Sequence, residues 1–191
     1  MQSIRSRWLR AICTVVLLAA ILPPSRGESG AFARRGCANP TGTSGTCSMA
    51  GDVANAGQWD VGRVERDLKS DVQLIHYTFK GTSHDAHCIP LLSLVMAARP
   101  AVNPHIKHHT LQFIVQVQGF DGYTVDFSLA ELMPEFGNRR VWVAMDEDGA
   151  PLKGEGGAFD LLAVDDVKPA RWVHGVTAIT VLDGVKLGAP H

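Results

Sequence analysis

Two short stretches of this chain gather the residue types that do chemistry. His84, His87 and Cys88 fall within five residues, and His105, His108 and His109 within another five. Imidazole and thiolate both suit zinc and copper, which makes His84, His87 and Cys88 a candidate transition-metal set. His105 and His109 would share one face if their segment were helical. Pro100 and Pro104 interrupt that region, however, and neither His-Glu-x-x-His nor paired Cys-x-x-Cys spacing occurs. A solvated, His-rich surface loop is the simpler reading of both stretches. His84-Asp85 beside Cys88 also offers a cysteine nucleophile with a base, though without an oxyanion-hole signature. The acidic run Asp146-Glu147-Asp148 lacks the later ligands of a calcium loop and reads as a solvated turn. Lys153-Gly154-Glu155-Gly156-Gly157 lacks the Gly-Lys-Ser/Thr ending of a phosphate-cradling loop.

The elements that must position these residues follow from periodicity. Val72–Phe79 is β-rich with apolar residues on both faces, the pattern of a buried strand. Pro90 opens a short helix over Leu91–Ala98, and Pro100 stands beyond its end. Leu111, Phe113, Val115 and Val117 alternate with polar residues, Gly119–Gly122 turns the chain, and Tyr123–Phe127 alternates again, which predicts a hairpin. Ser128 and Glu131 form a capping box ahead of a short helix that stops near Pro134. Arg140–Met145, Ala158–Val164 and Val176–Leu182 supply three more strands, with the turn former Asp148-Gly149 after the first. Trp142 and Trp172 read as sheet-packing residues before cofactor stackers. Strands outnumber helices and no repeat is present, so the expected class is α+β, mostly β, in one mixed-sheet or barrel-like domain.

The ends of the chain bear on compartment. The 191 residues are 46% hydrophobic and 19% charged with a net charge of −1, which excludes disorder and gives no basic surface for nucleic acid. That balance is uneven. Residues 1–27 hold Arg5, Arg7, Arg10 and Arg26 and no acid, leaving the remainder with 14 basic against 19 acidic residues, near −5. The arginines lead into a 12-residue apolar run, Ala11–Leu22. As a helix it would reach only about 18 Å, short of a hydrocarbon core of roughly 30 Å. This is the pattern of a secretory signal peptide, with Ser25 and Gly27 small enough for a cut before Glu28 and Ala31 with Ala33 as a second choice. An uncleaved anchor is the alternative, and Pro23-Pro24 argues against it. Cys13 lies inside the apolar run, which is not the lipoprotein position, and no adjacent arginines mark a twin-arginine signal.

The expected division is thus a signal peptide over 1–27, an irregular Gly/Ser/Thr-rich lead-in over 28–58, and one domain over 59–191. The product would be exported, periplasmic or secreted, with no stable membrane span after cleavage. In an oxidising compartment Cys37 and Cys47 are natural disulfide partners, an 11-residue loop whose closure contributes about 2.5–3 kcal/mol. Cys88 is then left as a buried thiol or a reactive one, and its pairing with Cys37 or Cys47 stays open.

The second half resembles a known family. Gly119-Phe120-Asp121-Gly122-Tyr123 followed by Phe127-Ser128-Leu129-Ala130-Glu131-Leu132 is similar to the hairpin and short helix of the sulfite-oxidase-like molybdopterin-binding domain. The similarity continues through Val143-Ala144-Met145, Asp148–Leu152, Gly156–Leu161 and Ala170-Arg171-Trp172-Val173 to Ile179. Cys88-Ile89-Pro90-Leu91 is similar to the family's Gly-Val-Pro-Leu helix start. The resemblance covers roughly residues 74–182 and implies a curved mixed sheet holding a molybdenum–pterin cofactor between its loops, with oxidoreduction as the activity. It implies Cys88 as a substitute thiolate ligand and catalytic centre, Arg171 as a contact to the pterin phosphate, and His84 or His87 as polar groups near the metal. Two positions depart from the pattern. The family's ligating cysteine lies upstream of the proline-led helix, where Tyr77–His87 holds none, and Asp160 stands where an arginine is common. A small-molecule substrate or a redox partner protein would follow from that activity. The alternatives are a cofactor-free binding or partner module on the same fold, and a periplasmic transition-metal-binding protein using the histidines.

Overall fold

The computed structural model describes residues 45–152 and 157–188. The expected signal peptide, Cys13 and Cys37 lie outside them. Strands β1 (Cys47–Gly51) and β2 (Gly57–Trp59) precede helix α1 (Val61–Asp67). The hairpin of β3 (Gln73–Phe79) and β4 (Thr82–Pro90) then feeds α2 (Leu91–Ala98). A second hairpin, β5 (Phe113–Gly119) with β6 (Thr124–Ser128), feeds α3 (Leu129–Leu132). The remainder is β7 (Val141–Ala144), the two-residue strands β8 (Asp146–Glu147) and β9 (Ala150–Pro151), β10 (Asp160–Ala163), β11 (Val176–Asp183) and α4 (Gly184–Leu187).

These strands build two main sheets and a ribbon. The first sheet runs β2-β1-β11-β5-β6, with β1 parallel to β11 and the other neighbours antiparallel. The second runs β10-β7-β4-β3, antiparallel throughout, and β8 pairs with β9. The class is α+β and mostly β, as the alternation predicts. Among the described residues neither main sheet closes on itself, so the barrel-like expectation gives way to open sheets, linked where Val173 bridges to Leu161 of β10.

Local chemistry explains most boundaries. Lys80 and Gly81 both have positive φ (49° and 84°) between Phe79 and Thr82, which pair with each other. That is the mirror-image two-residue turn whose twist matches the strands. Asp148-Gly149 does the same between Glu147 and Ala150. The capping box is formed: Ser128 Oγ accepts from the Ala130 N–H and Glu131 Oε1 from the Ser128 N–H. Asp60 caps α1 by accepting from the Arg63 N–H.

The second sheet is apolar on both faces, which is why β7 is buried at every residue. Ile89, Val141, Val143, Leu161 and Ala163 join the main core with Met49, Val115, Val117, Ile179 and Val181 of the first sheet and Leu91, Leu94 and Val95 of α2. The opposite face carries a smaller cluster of Ala86, Cys88, Trp142, Ala144 and Leu162, with Tyr77 and Trp172 against it.

Two expectations are corrected here. The last residues of the supposedly irregular lead-in form β1 and β2, because Cys47, Met49 and Trp59 all point into the core. Cys47 has no disulfide partner among the described residues and, 2% exposed, is committed to that core; the expected pairing with Cys37 lies outside the described residues. His84, His87 and Cys88 lie on strand β4, not in a loop. The polar residues of β4 hide its pattern, whose buried positions are the small Ala86 and Cys88 on one face and Ile89 on the other.

Candidate functional site

Strand alternation decides what the residues of β4 can do together. Successive side chains point to opposite faces, so Cys88 and His84 share the smaller cluster's face while His87 faces the other way. The sequence-derived metal set is therefore split. Among the described residues no three His, Cys, Asp or Glu side chains gather to hold a metal ion. Cys88 is fully buried, and burial together with the nearby Asp146 carboxylate pushes its thiol up to about 12. Cys47 is raised to about 12 by burial as well.

Such values leave roughly a thousandfold less thiolate than an ordinary cysteine holds at neutral pH. At pH 8 the native protein should give no labelling of the Cys47 and Cys88 peptides with iodoacetamide over an hour, and full labelling in guanidinium. Mass spectrometry reads this peptide by peptide. Prompt native labelling of Cys88 would refute the buried, protonated thiol described here.

Each histidine of the region is bound to a carboxylate. His84 Nδ1 donates to Asp148 Oδ2 at 2.9 Å, with Glu147 Oε1 at 3.5 Å. His87 Nδ1 donates to Asp146 Oδ2 at 2.7 Å, and the His87 N–H to Asp146 Oδ1 at 2.7 Å. His76 on β3 pairs with Asp85, opposite it on β4. His174 pairs with Asp160 at 3.1 Å. The acidic run read as a solvated turn is thus the partner of His84 and His87. Sequence gives no signal of this, since 59 to 64 residues separate the pairs and only the pairing of β4 with β7 and the ribbon joins them.

Around these pairs stands a cleft of about 440 Å³. Tyr77, Phe79, Trp172 and Leu162 wall it, while Glu147, Asp148, Asp160, His84 and His174 supply its polar groups. Trp172 stacks on Phe79 (5.3 Å between ring centres) and receives Tyr77 edge-on (5.5 Å), and its indole N–H is satisfied by the Ala163 carbonyl at 3.0 Å. Trp172 thus packs on the sheet as expected and also faces the cleft. The Tyr77 hydroxyl donates to Glu147 Oε1 at 2.6 Å; burial, then the Glu147 carboxylate, hold the phenol well above its ordinary range. The Asp85 N–H and His84 keep Asp148 below the usual carboxylate range. His87 instead lines a separate, larger cleft of about 1260 Å³ with Arg66, Lys69 and Asp146.

Arg171 is committed elsewhere. Its guanidinium makes two bonds of 2.7 Å to Asp166, one of 3.2 Å to Glu131, and lies 4.5 Å from the Phe127 ring centre. The Asp166 carboxylate raises the Arg171 pKa and is itself lowered by it. Asp160 accepts from the Gly175 N–H at 2.7 Å and presents negative charge to the cleft. A molybdenum–pterin group is therefore a poor fit. The candidate thiolate is a buried thiol, the candidate phosphate contact is a paired structural arginine, and the cleft wall is acidic. The remaining histidines divide by burial: His105 and His108 are exposed as the loop reading expects, but His109 is buried against Asp183.

No protein-family model and no curated protein matches the chain. Among solved structures, it is similar to the crystal structure of the sulfane dehydrogenase SoxCD from Paracoccus pantotrophus, with a TM-score of 0.50 and 15% identity over 73% of this chain. The match spans 38% of that structure's chain. At this identity the likeness establishes architecture alone, and the chain has a mixed α+β, mostly β fold of the sulfite-oxidase-like kind.

Proposed function

We propose that this protein is an exported binding module that keeps the sulfite-oxidase-like fold without a cysteine-ligated molybdenum cofactor. The observation that carries the reading is Cys88: the one cysteine in the resembling segment is fully buried in the smaller cluster, with its thiol pushed to about 12. The occupied Arg171 and the acidic Asp160 support the same reading. What the fold retains is a walled cleft with polar groups, the usual form of a small-ligand site.

The fold likeness to a sulfane dehydrogenase favours a second reading, an oxidoreductase acting on a small sulfur compound through a molybdenum–pterin group. Metal analysis separates the two. Purified from a host that makes the cofactor, the protein is expected to contain less than a tenth of an equivalent of molybdenum and to show no visible absorption band. Stoichiometric molybdenum that disappears on Cys88→Ser would overturn the module reading in favour of the enzyme. Stoichiometric zinc or copper lost on substituting His84 and His87 would overturn it in favour of metal binding.

A further inference from the structure

We propose that the 440 Å³ cleft beside β3 and β4 binds a small organic cation with an apolar shell, an alkylammonium compound. The inference rests on the binding-module reading and names the ligand class of that same site.

Two features of the lining point to this class. The first is its walls. Tyr77, Phe79 and Trp172 bring three aromatic rings to one cavity, and aromatic faces attract ammonium groups more strongly as water is removed. The Phe79 ring already lies 5.0 Å from one ammonium, that of Lys80. The second is charge. Glu147, Asp148 and Asp160 all line the cleft, and among the described residues no Lys or Arg does. Their hydrogen-bond partners leave the charge in place. Glu147 accepts from a phenol, Asp148 from a backbone N–H and an imidazole, and Asp160 from a backbone N–H and an imidazole. Among the described residues, His84 and His174 are the two lining groups able to turn positive, fewer than the three carboxylates. The described lining is net negative whether those imidazoles are charged or neutral. An anionic ligand would meet the repulsion of three carboxylates, and a neutral sugar would stack on the rings and donate to the carboxylates without using their charge. A compact alkylammonium uses both.

The test titrates the purified protein with choline chloride and, separately, with 3,3-dimethyl-1-butanol, its neutral isostere. Binding is read from the Trp172 indole N–H in proton–nitrogen correlation spectra. Choline is expected to bind at least about tenfold more tightly than the isostere. Asp160→Asn and Phe79→Ala should each weaken choline at least about threefold while circular dichroism stays native. If Asp160→Asn loses its native spectrum, Glu147→Gln supplies the charge test with the same expected loss. Equal binding of choline and the alcohol would overturn the proposal, as would choline affinity unchanged in a folded charge variant. Molybdenum is measured on the same preparation. Choline binding together with bound molybdenum would overturn the module reading and leave the ligand class standing. Absence of both would overturn the ligand class alone.

Discussion

His109→Ala is expected to lower the stability of the protein by about 3 kcal/mol, a large share of the 5–15 kcal/mol typical of a folded domain. His109 and Asp183 are both nearly sealed from solvent, with side chains 2% and 5% exposed, and their Nε2 and Oδ1 atoms are 3.0 Å apart. The Asn103 N–H donates to His109 Nδ1 at 2.8 Å, so that nitrogen carries a lone pair and the ring proton sits on Nε2, facing Asp183. Asp183 also caps α4 by accepting from the Val185 N–H at 3.0 Å. Alanine would remove a hydrogen bond to a charged group, worth about 1.5–3 kcal/mol, and leave the Asn103 amide without its acceptor. Urea unfolding reads the effect as a lower midpoint at unchanged slope. Asp183→Ala should cost a similar amount, and the double variant at least about 1 kcal/mol less than the sum of the two. Strict additivity would show that the two side chains act independently.

Gly51→Ala is expected to cost at least about 3 kcal/mol and to depress Tm by roughly 6–12 °C. Gly51 has φ of +95°, and a Cβ built there would stand 2.1 Å from the Val181 carbonyl oxygen and 3.0 Å from that residue's N and C atoms. Nothing flexible can give way. The contact is backbone, and it lies in the parallel ladder where Gly51 is paired with Val181. The same carbonyl accepts from the Asp52 N–H at 2.7 Å, and the Asp52 carboxylate in turn accepts from the Asp183 N–H at 2.8 Å and pairs with Lys186. A shift at residue 51 therefore disturbs the junction of β1, β11 and α4. Gly81→Ala is the control: φ there is +84°, but no atom lies within 4 Å of the built Cβ, so it should cost only about 1 kcal/mol of backbone strain. Similar losses at the two sites, measured by thermal unfolding, would show that strain and not the clash dominates at Gly51.

The strands that alternate strongly, such as Phe113-Val115-Val117 against Val125-Phe127, are legible in the sequence because each apolar face is long enough to have a period. The capping box and the Asp148-Gly149 turn are legible because both are local. β4 is not, since Thr82, Ser83, His84, Asp85 and His87 fill most of it and its buried residues are only Ala86, Cys88 and Ile89 near its end, so it looks like a polar loop. β1 is missed for a related reason: Ser48, Ala50 and Gly51 are small, and their role is to let the backbone approach β11. The site was harder still. Arg171 has the right neighbours in sequence for a phosphate contact, yet Glu131, 40 residues away, helps to occupy it. The burial of His109 depends on Asp183, 74 residues downstream, and no local pattern reports a partner at that distance. The cleft's rings and carboxylates come from β3, β8, β10 and the segment before β11, so its charge balance exists only in three dimensions.

The central position of β11 in the first sheet sets the order in which this protein can be completed. β11 holds β1 on one side and β5 on the other, and it is the last strand of the described chain. Residues 48–51 must wait for 178–181. Closing that span of about 130 residues costs roughly 2 kcal/mol more entropy than closing a ten-residue hairpin. During synthesis from the N-terminus, the hairpins β3–β4 and β5–β6 can pair as soon as they emerge, while β1 has no partner strand on its β11 side until residues 176–183 have been made. The topology thus joins local hairpins through one strand, β11, whose pairing with β1 is non-local. Truncation anywhere upstream of residue 176 would forfeit the first sheet as a unit, exposing the edges of β1 and β5 that β11 covers in the folded protein.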